Sequence, residues 1–463
     1  MRYVSTRGEA PDLGFEDVLL TGLARDGGLY VPSHWPELSS RDLNHLHGKS
    51  YEDVAFAVMH PFIGGAIPEP ELKAMIASAY ASFGHPAVAP LKQLDDNHWL
   101  LELFHGPTLA FKDVAMQLLA RLMDWALDKR RTRATIVGAT SGDTGGAAIE
   151  AFKASRHASV FMMHPHGRVS DVQRRQMTTV DSATIHNLAI EGNFDDCQAI
   201  VKALFNDLAF RDKVGLAGVN SINWARIMAQ SVYYVTAALS LGTPGRAVSF
   251  CVPTGNFGDI FAGFVAKRMG LPIDRLVIAT NVNDILDRTL KTGRYETRGV
   301  HASTSPSMDI QVSSNFERLL YEVHGRDPYA VKRMMANLAQ SGSFTIGERE
   351  LDQIRHEFDS GATNEAETAA TIRQTLAETG ELLDPHTAVG YAVARKAQAS
   401  SSPMVTLATA HPAKFPDAVE KASGVRPGLP PRLGYLMEAE ERFTVLPNDV
   451  AKVRDFILSR QTA

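Results

Sequence analysis

The chain has 463 residues, 44% of them hydrophobic and 21% charged, with a net charge of −5. This is the make-up of an ordinary soluble protein of two or three domains, and the mild acidic balance excludes a general nucleic-acid binder. No apolar run nears the ~18 residues of a membrane span, Met1 to Phe15 lacks the apolar core of a secretory signal, and two lone cysteines, Cys197 and Cys251, speak for a reducing, cytoplasmic setting without disulfides or thiolate-bound zinc.

Residues 1 to about 90 alternate helical patterns with turns and read as a mostly helical N-terminal domain. Phe15 to Ala24 is a helix closed near Gly27-Gly28, and Leu29-Tyr30-Val31-Pro32 is a short extended piece. Tyr51 to Met59 and Glu69 to Phe83 are further helices, separated by Pro61 and Gly64-Gly65. From residue 91 to about 425 the pattern becomes strand, turn, helix, repeated. Trp99 to Phe104, Ala134 to Ala139, Val160 to Met163, Thr184 to Ile190, Ala247 to Val252, Leu276 to Thr280 and Val405 to Thr409 are the strands. Helices are expected over Val114 to Leu127, from Ala147, over Ser170 to Thr179, over Trp224 to Leu241 and up to Met269. Such alternation predicts an α/β architecture of mostly parallel, buried sheets with helices on both faces. Residues 291 to 316 read as a long loop, residues 328 to 380 as helical and charged, and residues 426 to 463 as a Pro- and Gly-started tail with a final helix over Asn448 to Ser459.

The most informative stretch runs from His105 to Asp113, His-Gly-Pro-Thr-Leu-Ala-Phe-Lys-Asp. Gly106-Pro107 is a turn and Thr108 a cap candidate, so Lys112 sits at the start of the helix that follows. The helix dipole is positive there, which disfavours the ammonium form. A neutral amine is what a lysine needs to attack a carbonyl. The ordinary alternative is a solvated lysine, against which the apolar Leu109-Ala110-Phe111 speaks.

Two strand–glycine-loop–helix units follow, at 138–147 and 252–263. Each would offer backbone N–H groups and a helix N-terminus to an anion, although a tight turn explains either one alone. Neither is a Walker loop or a Gly-x-Gly-x-x-Gly fingerprint. From these residues alone a nucleotide-binding regulatory protein stays open beside an enzyme.

The lysine stretch resembles the cofactor-lysine motif of threonine synthases, pyridoxal-phosphate enzymes of the tryptophan-synthase-β fold type (fold type II). Gly27 to Pro32 is similar to the same family's N-terminal domain. The resemblance implies two open, mostly parallel α/β subdomains behind the helical domain, and pyridoxal 5'-phosphate carried by Lys112. Gly255, Asn256, Phe257, Gly258 and Asp259 resemble the loop for the cofactor phosphate. Ser141-Gly-Asp-Thr-Gly145 resembles the loop beside the ring's 3′-oxygen, with Asp143 toward the cofactor and Ser141 and Thr144 toward the substrate carboxylate. An anionic Asp143 would repel both neighbours, so it is expected protonated or turned away. Thr409, before His411-Pro-Ala-Lys-Phe, resembles the residue facing the ring nitrogen; a hydroxyl there suits elimination and replacement better than transamination. Asn220 and Arg226, opening a long helix, resemble the substrate-phosphate site, whereas Arg168, Arg174 and Arg175 read as a solvated helix face. The implied reaction takes O-phospho-L-homoserine and water to L-threonine and phosphate in a monomer or homodimer, with no metal, nucleic-acid or membrane partner. Another fold type II lyase, such as a serine/threonine dehydratase or a cysteine-synthase-like enzyme, is the alternative; neither needs a dianion site.

Overall fold

A computed structural model of the chain describes residues 1–397 and 401–460. Two sheets organise it. The larger has six strands, in spatial order Phe358–Ala362, Ile273–Thr280, Val248–Pro253, Met404–Ala408, His98–Glu102 and Leu91–Gln93. All neighbours run parallel except the last pair. The smaller has five parallel strands, in order Thr444–Pro447, Ile185–Glu191, Ala158–Pro165, Ala134–Ala139 and Leu216–Ala217. Central strands are buried on both faces: every residue of Val248–Pro253 is buried, as expected of parallel strands covered by helices. These are the mostly parallel, buried sheets expected from the alternation, in the two α/β subdomains that the resemblance implies. Among the described residues no helix is long and apolar enough to cross a membrane.

The N-terminal region pairs Tyr3–Ser5 antiparallel with Tyr30–Pro32 and adds helices Phe15–Thr21, Ser40–Leu46, Tyr51–Ile63 and Glu69–Tyr80. It docks on the long helix Trp224–Ser240. Trp224 is fully buried there, with the rings of Phe62 and Tyr3 at 5.6 and 5.9 Å. Pro61 stands inside its helix, which runs past it to a left-handed Gly64. The apolar face of that helix, Val54, Val58, Phe62, outweighs the local cost of the proline.

Several elements depart from the sequence pattern. The helix expected from Ala147 starts at Asp143, because Thr140 Oγ1 accepts the N–H groups of Gly142 and Gly145, each at 2.9 Å. The charged, helical stretch 328–380 contains a strand, Phe358–Ala362, that joins the edge of the larger sheet beside Leu276–Thr280. Its Phe-Asp-Ser-Gly-Ala lacks alternation and β-branching, so tertiary pairing decides it. The tail likewise supplies a strand, Thr444–Pro447, to the smaller sheet, before the helix Val450–Ser459. The stretch 291–316 is not all loop: Arg294–Glu296 pairs antiparallel with Ser343–Thr345, and the rest is held by hydrogen bonds, with Asp309 Oδ1 accepting from Asn281 Nδ2 (2.8 Å), Asn283 Nδ2 (3.0 Å) and Ser303 Oγ (2.6 Å). That network presents Ser307 to the space between the two sheets' loops.

Candidate active site

Lys112 is the first residue of the helix Lys112–Arg130, preceded by a backbone that no side chain caps. The approach is a tight turn closed from within. Asp113 accepts from the backbone N–H and the hydroxyl of Thr108, both at 2.7 Å. Leu109 adopts a left-handed φ of 61°. Phe111 N–H donates to the Thr409 carbonyl (2.8 Å) and His411 N–H to the Leu109 carbonyl (3.0 Å), which ties the turn to the end of strand Met404–Ala408. Burial pushes the Asp113 carboxyl up to about 6 against the pull of Thr108 and Lys414. The aspartate that follows the lysine is therefore a clamp on the turn.

Lys112 is 8% exposed. Its Nζ donates to Ser307 Oγ at 3.1 Å and lies 3.6 Å from Asp143 Oδ2. Burial holds the amine below its usual range; Asp143 opposes this, while Lys414 and Arg226 add to it. The depression of the amine's pKa expected from the helix start thus has a further cause, desolvation. Ser307 Oγ in turn donates to Asp143 Oδ2 (3.1 Å), and Ser307 N–H donates to His386 Nε2 (3.3 Å), whose Nδ1 lies 2.7 Å from Asp384.

Asp143 is neither protonated nor turned away, which corrects the expectation from its charge. Burial alone would raise its pKa, but Lys414, Lys112 and His386 outweigh it and hold the carboxyl well below its ordinary range. Lys414 Nζ stands 3.0 Å from Oδ1, and Gln173 Nε2 donates to the same oxygen at 2.9 Å. The repulsion anticipated from the sequence is met by a counter-ion distant along the chain. Ser141 and Thr144 flank Asp143, half-buried, at the N-terminus of Asp143–Phe152. Thr140 takes two of the N–H groups at this helix start, and the others are the donors an anion would use.

The second glycine loop joins Val248–Pro253 to the helix Gly258–Arg268. A Cβ on Gly255 would lie 2.7 Å from the Ser307 carbonyl oxygen, so this glycine permits the loop carrying Ser307 to close over it. The Asn256 carbonyl accepts from Asn315 N–H (3.1 Å) and Nδ2 (3.0 Å). Phe257 has a left-handed φ of 62° with its ring buried against Phe316 and Phe358, and Gly258 opens the helix. The Asp259 side chain turns into the helix Trp224–Ser240, where Tyr233 and Tyr234 donate to Oδ1, and burial pushes it up to about 6. Asp259 contributes its helix-start backbone to the loop, and its carboxyl belongs to a tyrosine pair.

Arg226 lies in the first turn of Trp224–Ser240 and is 4% exposed. Its Nη1 donates to the Val219 carbonyl at 3.3 Å, and its Nε is buried without a partner. Burial lowers its pKa to about 10. A buried guanidinium with an unmet donor, in electrostatic reach of Lys112 and Asp259, is equipped for an anion. Asn220 is exposed on the turn before it, and Asn223 caps the helix through Ala225 N–H (3.0 Å). This turn packs on the second glycine loop: Asn315 Nδ2 also donates to the Ser221 carbonyl at 3.2 Å. Thr409 is buried beside the lysine turn. Arg174 and Arg175 do not form a merely solvated face. Arg174 pairs with Glu441 (2.8 Å) and Arg175 donates to the Ala439 carbonyl (3.1 Å), which pins the C-terminal tail.

The sequence reading assigned no role to Ser307, Lys414, Gln173 or His386. Lys414 lay inside a quoted motif, as a lysine amid apolar residues; Ser307 lay in a serine-rich loop with no local signal. The arrangement could hold pyridoxal phosphate: a buried, deprotonation-prone amine, two glycine-loop helix starts and a buried cation with a free donor match an aldehyde-bearing dianion and an anionic partner. A cleft of about 610 Å³ nearby, lined by Phe104, His105, Leu109, His411, Pro412 and Arg432, lies behind the lysine turn and does not include Lys112. Among the described residues no cluster of His, Cys, Asp and Glu could hold a metal ion.

Comparison with known proteins fits this geometry. A family model described as "Pyridoxal-phosphate dependent enzyme" matches residues 85–410, and the chain is an enzyme of that class, with pyridoxal phosphate as its cofactor. Models described as "Threonine synthase N terminus" and "Threonine synthase, C-terminal" match residues 2–80 and 387–457. The threonine synthase of Pseudomonas aeruginosa is 56% identical over 459 residues, covering 99% of this chain and 98% of that one. A crystal structure of pyridoxal-phosphate-bound threonine synthase from Brucella melitensis is 62% identical, covers 100% of both chains and superposes with a TM-score of 0.99. The yeast threonine synthase structure is 40% identical, covers 99% and 98%, and superposes at 0.94. The chain belongs to the threonine synthase family.

Proposed function

We propose that this chain forms L-threonine and inorganic phosphate from O-phospho-L-homoserine and water, with Lys112 as the amine that carries the cofactor. The observation that carries the reading is the combination of a buried amine, Lys112, with a buried, under-partnered cation, Arg226. One is suited to hold the cofactor, the other a substrate dianion. Pyridoxal phosphate bound through Lys112 would supply an electron sink for charge developing beside the substrate amine.

The protein's own groups then divide the work. The helix start at Gly258, with Gly255, Asn256 and Phe257, would hold the cofactor phosphate on backbone N–H groups. Thr409 would meet the ring nitrogen with a hydroxyl rather than a carboxylate. Ser141, Thr144 and the first turn of Asp143–Phe152 would bind the substrate carboxylate. Arg226 and Asn220 would bind the leaving phosphate, where a planar guanidinium grips two oxygens at once. Ser307 keeps Lys112 Nζ in place, and Lys112, once free, moves protons at Cα and Cβ. Near-complete burial of Lys112 keeps bulk water from the reacting carbons.

The test is product analysis with the purified, cofactor-loaded chain. Phosphate and threonine should appear one for one from O-phospho-L-homoserine. Ammonia release from threonine or serine, with no phosphate released, would instead make the chain a dehydratase.

A further inference from the structure

Lys414 is fully buried at the end of the short turn Pro412–Lys414, and beyond its place as counter-ion to Asp143 no role has been given to it. A buried ammonium is costly unless paired and hydrogen-bonded. Lys414 has three partners: Asp143 Oδ1 at 3.0 Å, the Thr108 carbonyl at 2.6 Å and Gln176 Oε1 at 2.9 Å. Asp143 is the shared element. Its Oδ1 takes Lys414 and Gln173; its Oδ2 takes the Ser307 hydroxyl, with Lys112 Nζ farther off at 3.6 Å.

We propose that Lys414 is a positioning residue that takes up most of the charge of Asp143, so that Asp143 holds Ser307 against Lys112 while its own ion pair with Lys112 stays the longer one, at 3.6 Å. The inference rests on the reading of Lys112 as the cofactor-carrying amine. A single carboxylate between two amines pairs more strongly with the nearer, and here the nearer is Lys414, at 3.0 Å against 3.6 Å for Lys112. Without that charge, Lys112 and His386 are left to balance the buried Asp143 carboxylate, and with only the charge of Arg226 still opposing it the carboxylate favours the ammonium form of Lys112. Each unit by which the Lys112 pKa rises cuts its neutral fraction about tenfold at a fixed lower pH. Lys414 also ties Thr108, which clamps Asp113, so a plain loss of structure must be told apart from a loss of charge.

The test compares full-length protein freed of cofactor, as parent, Lys414→Gln and Lys414→Gln/Asp143→Asn. Glutamine keeps a donor for the Thr108 carbonyl and removes the charge. Competitive labelling with a small amine-acylating reagent across pH, read by mass spectrometry at the peptide bearing Lys112, gives the titration midpoint of that amine. Circular dichroism checks the fold. In Lys414→Gln the midpoint should rise by at least about one pH unit, about tenfold less labelling at fixed pH; in the double variant it should return toward the parent value. An unmoved midpoint in folded Lys414→Gln, or the same rise in the double variant, overturns the proposal. If Lys414→Gln does not fold, Lys414→Met, with an apolar chain of similar reach, carries the same comparison. Because labelling reads the bare amine, it fails or succeeds independently of whether Lys112 carries the cofactor, which trapping of the loaded enzyme decides.

Discussion

Replacing Arg226 by methionine separates function from stability, because the two should move in opposite directions. Arg226 is 4% exposed, bonds one carbonyl at 3.3 Å and leaves Nε without a partner. Burial lowers its pKa to about 10. For a base, a depressed folded-state value means that folding disfavours the charged form, which is the form present in both states at pH 7. A value that far below an arginine's ordinary range corresponds to about 3 kcal/mol against the folded state. Methionine fills similar space without the charge, so Arg226→Met should keep or raise the unfolding free energy of the substrate-free protein by up to about 3 kcal/mol. Losing a charged hydrogen bond to the substrate costs roughly 1.5–3 kcal/mol, which lowers kcat/KM by about 10- to 150-fold. Charge grows on the leaving phosphate as the C–O bond breaks, so kcat should fall as well as KM rise. The assays are urea unfolding and phosphate release, with cofactor absorbance as a control. Lower stability with kinetics within twofold of the parent would refute the reasoning and make Arg226 a structural residue. Loss of cofactor absorbance would mean that Arg226 serves the cofactor phosphate.

Asp259 titrates with its folded-state pKa raised to about 6, so the stability linked to its protonated form is full below about pH 4 and is lost as pH rises through about 6, by roughly 3 kcal/mol. Asp259→Asn keeps an acceptor for Tyr233 and Tyr234 and should remove that slope, measured as the difference between variant and parent in unfolding at pH 4 and 7.5; parallel curves would assign the titration elsewhere. Gly255→Ala places a Cβ 2.7 Å from the Ser307 carbonyl, whereas at Gly258 the nearest atom would be 3.3 Å away. Dialysis should therefore strip cofactor faster from Gly255→Ala than from Gly258→Ala, and equal retention would show that the contact with Ser307 does not shape the site.

What was legible in the sequence was local. Lys112 sits in nine consecutive residues whose turn, apolar approach and helix start are all neighbours, and each glycine loop is a strand end joined to a helix start. The strand Phe358–Ala362 was hidden because its own residues carry no strand pattern and the neighbouring strand supplies the pairing; Thr444–Pro447 has strand-forming Thr-Val-Leu, but it is four residues long and stands in a Pro- and Gly-started tail. Asp143 was misread for a related reason. Its ionisation depends on Lys414 and Gln173, which only the closed fold brings to within 3.0 and 2.9 Å. Ser307 reaches Lys112 through a loop fixed by Asp309 and two asparagines, and no residue spacing announces that. The tail-anchoring role of Arg174 was equally invisible until Glu441 folded back onto it.

Everything proposed for this site depends on Lys112 being the amine to which the cofactor is joined. Borohydride reduction of the loaded protein fixes pyridoxal phosphate to whichever lysine carries it, and peptide mapping then identifies that lysine. The modified residue should be Lys112, and Lys112→Ala should give a protein with nothing to trap. A modified peptide that contains a different lysine, with Lys112 recovered unaltered, would contradict the account.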